Sequence, residues 1–211
     1  MDRFSFTNHY FRYRYAMSTA TRSSNKHPSS LVALVNVDGP VGDGEGYRRL
    51  SCYGALEVEI VDGDPVFTAR HVSTTDNDDR RRLFCDIGSL SHERHVVVGS
   101  CEANEDFRDR RHILEAGLVY LDIIDGLKTI QPANLNLMGA PEEAMIQLAS
   151  TFGLRNCYQT DVLSQARAAG VRAQIVWLAY VAATLGRKET RKLFAAFQAW
   201  QALEMARPIP F

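Results

Sequence analysis

The sequence predicts an α/β domain: a mixed β-sheet flanked by helices, with an extra helix at the C-terminal end. Three observations carry this expectation. Apolar runs such as "LVALV" and "HVVVG" have the texture of central strands covered on both faces. A turn signal, "VDGD", joins two long strand-like runs in the first third of the chain. From Pro141 onward the pattern is helical, so the order reads strand, strand, strand, helix, strand, helix, then helices.

A chain of 211 residues with 45% hydrophobic and 23% charged side chains suits one large core and is short for two. Residues 1–29 read as an arm and linker. "MDRFSFTNHYFRYRYAM" mixes rings with arginines, and "STATRSSNKHPSS" has a linker's Ser/Thr/Pro composition. Residues 30–186 read as the domain, and residues 187–211 as a C-terminal helix and tail. "LVALVNVDG" is the first strand, ending where Asp38-Gly39 must turn. "YRRLSCYGALEVEIVDGDPVFTARHVS" gives two strands, with Asp62-Gly63 supplying the positive φ of a tight hairpin.

"DNDDRRRLFCDIGSL" opens on acids and sets Leu83, Phe84 and Ile87 on one face, which predicts a short helix. "HVVVGS" is a further buried strand, and "NEDFRDRRHILEAGLVYL" a helix with Phe107, Ile113 and Leu114 inward. "LDIIDGLKTI" holds a short strand and a turn, and "PANLNLMGAP" is assigned no element. Helices then span Pro141 to Gly153, Asp161 to Gly186 and Arg187 to about Ala206, the first opened by Pro-Glu-Glu. In the last, Leu193, Phe194, Phe197, Trp200, Gln201 and Leu203 form a stripe at helical spacing that packs on the domain. The terminal "RPIPF" either ends that helix or reaches a neighbour.

The net charge of −1 is unevenly spread. Residues 1–35 carry five Lys/Arg against one acid, residues 36–130 eleven against nineteen, and residues 131–211 eight against five. Such a total argues against a strong general nucleic-acid binder and leaves only local patches for that role. Cys52, Cys85, Cys101 and Cys157 show no Cys-x-x-Cys pair, and no apolar segment near the start has signal-peptide length. Reduced thiols in an intracellular, cytoplasmic protein are expected, with organellar import through the arm as an alternative. No run reaches the ~18–20 apolar residues of a membrane span. No Gly-x-Gly-x-x-Gly follows a strand, and in "GDGEG" Asp43 and Glu45 would repel a phosphate.

Several smaller features have a plain reading. His92 and His95 in "SHERH" stand at i and i+3, but nothing nearby completes a zinc site, so a surface loop is expected. His71 and His112 read as polar-face or partly buried residues. Ser100-Cys101 lacks a positioned base for nucleophilic work. Arg80, Arg81 and Arg82 follow acids and form helix-surface pairs. The better phosphate candidates are Arg12 and Arg14 in the arm and Arg108, Arg110 and Arg111 in "FRDRR".

Taken together, "LVALVNVDG", "YGALEVEIVDG", "HVVVGSCEANEDF", "YLDIIDGLKTIQP", "IQLASTFGL" and "RAAGVRAQIVWLAYVAATLG" resemble, in order, the landmarks of the DEDD proofreading 3′–5′ exonucleases. The resemblance covers about residues 30–186 and implies a ribonuclease-H-like fold. Such enzymes hold two divalent metals, about 3.5–4 Å apart, on carboxylates while a histidine serves as base. Where the family's first strand ends in Asp-x-Glu, this chain has Asn36-Val37-Asp38. The third carboxylate falls within Asn104 to Asp106, with Asp106 able to serve. Where the last helix carries the family's His and, five residues on, its Asp, this chain has Arg167 and Arg172.

The resemblance therefore implies a degenerate site. A base becomes a side chain that stays protonated, and a metal ligand becomes a cation. Opposite charges ~4 Å apart attract by about 4 kcal/mol at an effective dielectric of 20, so guanidinium groups could neutralise Asp38 and Asp106 with no ion bound. The competing reading puts both arginines on a solvated helix face. The expectation is a catalytically inactive exonuclease-like domain, without cofactor, binding a protein partner or a second copy in an assembly, with nucleic acid as a further contact. The alternative is an active Mg²⁺- or Mn²⁺-dependent exonuclease using Asp38, Asp43 or Glu45, Asp106, and Asp161 or Asp122.

Overall fold

Residues 26–39, 49–73, 83, 86–99, 134–138, 142–154 and 162–206 are described by the computed structural model. They form five strands and three long helices: β1 (Ser30–Gly39), β2 (Arg49–Val61), β3 (Asp64–Ser73), β4 (His95–Gly99), β5 (Asn134–Met138), α1 (Glu142–Thr151), α2 (Val162–Thr184) and α3 (Arg187–Ala206). One mixed sheet takes the order β3-β2-β1-β4-β5. The pairs β1/β2 and β2/β3 are antiparallel, while β1/β4 and β4/β5 are parallel.

The hairpin turns where expected, with Asp62 at φ 53° and Gly63 at φ 88°, the two positive values that let a short loop follow the strands' twist. α1 stops as a glycine-terminated helix does: Gly153 takes φ 67° and the Leu154 N–H donates to the Ala149 carbonyl at 2.7 Å. Residues 86–91 are helical, as is Leu83, within the short helix the acidic stretch predicts. The helix expected from "NEDFRDRRHILEAGLVYL" and the strand expected in "LDIIDGLKTI" lie outside the described residues.

One element corrects the sequence reading. "NLNLM", assigned no element, is β5, which pairs with β4 from His95↔Asn134 to Gly99↔Met138. Two asparagines in five residues mask a period-2 alternation with Leu135 and Leu137, and backbone pairing outweighs their low strand preference.

Alternation along β1 divides the core. Leu31, Ala33 and Val35 lie with Leu56, Val58 and the apolar residues of α2 and α3. Val32 and Leu34 join Tyr53, Ala55, Val96 and Val98 against Leu83, Ile87 and Leu90. On the α2 side the rings of Phe67, Trp177 and Phe197 meet at centroid distances of 5.2, 5.3 and 5.5 Å. α3 is thus continuous with the same core: Leu193 and Phe197 are buried, and Phe194 and Trp200 pack on its edge. The expected stripe ends there, because Leu203 is 67% exposed.

Candidate functional site

The C-terminal end of β1 is where the sequence places Asn36 and Asp38. Asn36 pairs with Tyr53, and the register shifts between Val37 and Asp38, so that Ser51 is the extra residue of β2 before Leu50 meets Asp38. A bulge of this kind bends the strand and re-aims the residues beyond it. Gly54, one pair back and opposite Val35, is where α2 comes down on the sheet. A Cβ there would lie 2.0 Å from the Ala169 carbonyl carbon, so only glycine admits the helix. Farther along, a Cβ on Gly99 of β4 would lie 2.0 Å from Val176 Cγ2. α2 therefore crosses from β2 toward β4.

Arg172 stands on α2 between those two contacts, about 4–5 Å along the axis from Ala169. Arg167 lies about 3 Å before Ala169. Both expected arginines are thus within a turn or so of the point where α2 touches the level of Val35, next to Asn36. Their five-residue spacing turns them about 140° apart on the helix. Arg172 is half-buried, whereas Arg167 is exposed. Guanidinium groups offer no lone pair, so neither α2 position fits a metal-ligating role.

Tyr53, the partner of Asn36, is buried. Burial first, and the charge of Asp86 second, push its phenol up to about 12, so it remains a neutral hydroxyl at physiological pH. The other expected site residues fall outside what is described: Arg12, Arg14, Asp43, Glu45, Asp106, Arg108, Arg110, Arg111, Asp122 and Asp161, together with the side chains of Asn36 and Asp38. Among the described residues, no three His, Cys, Asp or Glu side chains gather as a metal site.

The histidine pair is not a helical pair. Glu93 takes φ 55° and ends the turn, leaving His92 exposed and His95 as the first residue of β4. His71 is exposed on β3, and Cys52 is a buried thiol. Cys85, Cys101, Cys157, His112 and Arg80–Arg82 lie outside the described residues.

A charged node that sequence reasoning missed sits on the face away from α2. Glu57 of β2 accepts hydrogen bonds from Arg70 of β3 and from Arg94, just before β4, and Arg94 also donates to Glu59 at 3.0 Å. Arg94 reaches across β1 to do so. The signal was present in "LEVEI", where Glu57 and Glu59 alternate with apolar residues and so must share a face of the strand. With two carboxylates and two guanidinium groups the node is neutral and mutually satisfied, which marks it as structural. Among the described residues no helix is long and apolar enough to cross a membrane. No protein-family model matches the chain, and no curated protein matches it.

Proposed function

We propose that the chain is a ribonuclease-H-like domain of the proofreading-exonuclease kind that has lost its chemistry and serves as a binding part of a larger assembly. The strand order β3-β2-β1-β4-β5, with β2 antiparallel to its neighbours and β4 and β5 parallel to β1, supports the fold. The single observation that carries the functional reading is the contact of α2 with Gly54 beside the end of β1. It sets the stretch of α2 bearing Arg172 beside the strand of Asn36 and Asp38, which supports reading Arg172 as a cation where the family resemblance implies an anionic metal ligand.

In this reading a cation on the sheet-facing stretch of α2 stands in for the two metal ions, and the cleft keeps a shape without a reaction. Partner binding is assigned to a protein or a second copy, because the net charge of −1 gives no general attraction for nucleic acid. Arg12, Arg14, Arg108, Arg110 and Arg111 supply the local positive charge through which a strand would be touched.

The test is incubation of the full chain with an end-labelled single strand and Mg²⁺ or Mn²⁺. The expected result is an unshortened strand. Shortening from the 3′ end that disappears in Asp38→Ala would replace this proposal with an active exonuclease.

A further inference from the structure

At the opposite end of β1, His27 is 8% exposed and bonded through both ring nitrogens. The Trp177 indole N–H, which can only donate, reaches His27 Nε2 at 3.1 Å, so Nε2 must present a lone pair. The ring's one proton then sits on Nδ1, which donates to the Pro28 carbonyl at 2.6 Å. A second proton has nowhere to go but Nε2, where it would oppose the indole N–H, donor against donor. We propose that His27 is an acid-released latch fastening residues 26–29, the root of the N-terminal arm, to α2.

The surroundings favour the neutral ring. Burial is the main cause that holds the imidazole below its usual 6.5; the Pro28 carbonyl and the Glu189 charge on α3 act against it, and His95 on β4 acts with it. From α2, Tyr180 stands edge-on at 6.5 Å, its own phenol pushed up by burial and therefore uncharged. A second tether does not titrate: the Ile60 N–H of β2 donates to the Ser29 carbonyl at 2.8 Å. Protonation would thus separate the segment from α2 while leaving it on the sheet, a local opening rather than unfolding. The latch works in the same way whether or not the opposite end of β1 carries any chemistry.

The experiment is amide hydrogen exchange on the full chain, corrected for intrinsic pH dependence, with wild type and His27→Gln compared. The Gln carbonyl can accept from Trp177 but cannot titrate. Followed alongside the amides, exchange of the Trp177 indole N–H, the proton donated to His27 Nε2, should accelerate by roughly tenfold or more relative to β2 between about pH 7.5 and about pH 5 in wild type, and not in His27→Gln. In wild type, nitrogen NMR should show the Nδ1–H tautomer at neutral pH, with the Trp177 indole resonance moving at the His27 midpoint. An Nε2–H tautomer, an indole resonance indifferent to acid, or an opening that persists in His27→Gln would overturn the proposal. Should the variant fail to fold, the wild-type spectra decide.

Discussion

On the α2 side of the sheet, rings do the closing: Phe67 meets Trp177 and Phe197 edge-to-face, those two lie tilted against each other, and Phe152, Phe194 and Trp200 surround them. On the other side, among the described residues, the aliphatic side chains of Leu83, Ile87 and Leu90 pack on β1 and β4, and an ion-paired node holds β2, β3 and the start of β4 together. The difference separates two uses of arginine. Arg70 and Arg94 are part of what joins the strands. Arg167 and Arg172 ride on a helix that ring packing and backbone contact at Gly54 set against the sheet.

The sharpest way to break this contrast is to remove a ring. Phe197→Ala should cost about 3–5 kcal/mol in denaturant unfolding, since it empties a fully buried site shared by four other rings. Gly54→Ala comes next: its new methyl meets helix backbone that cannot rotate away, and a loss of about 1–3 kcal/mol is expected, with disturbed amide resonances in both α2 and β2. Arg94→Met should cost about 1–2 kcal/mol, because Glu57 keeps Arg70 and Arg94 is partly solvated.

Acid probes the ring side specifically. The folded His27 pKa lies below its unfolded 6.5, so the unfolded chain binds the extra proton and stability contributed by neutral His27 is complete above pH 6.5. It declines as pH falls through 6.5 toward the folded value, by at most about 1.4 kcal/mol per pH unit, then levels off. The difference between wild-type and His27→Gln unfolding curves isolates it from the carboxylates. The smallest effect belongs to Arg167→Gln, which should change stability by no more than about 0.5 kcal/mol, since the side chain is exposed and the helix is held elsewhere.

Legibility in the sequence tracks how local each signal is. The Asp62-Gly63 hairpin, the apolar run of β1 and the three long helices are written in adjacent residues, and they stand where expected. β5 was missed because its pattern alternates asparagine with leucine, and the stability of such a strand comes from the neighbour it pairs with. Glu57, Gly54 and His27 were missed for a related reason. Each acquires its role from partners far along the chain: Arg94, Ala169 and Trp177 respectively. Of the candidate site, strong local patterning made it readable that Arg167 and Arg172 share one helix and that Asn36 lies on a strand, whereas their adjacency was implied only by the family resemblance. The different exposure of the two arginines was not readable, since it depends on how α2 is rotated against the sheet.

The claim that arginines stand in place of divalent ions is tested most directly by titrating Mn²⁺ into the full chain and counting bound ions by electron paramagnetic resonance. The account predicts no tight binding to wild type, and a gain of binding when Asn36→Asp, Asp38→Glu, Arg167→His and Arg172→Asp are combined. Tight Mn²⁺ binding by the wild-type chain that is lost in Asp38→Ala would contradict it.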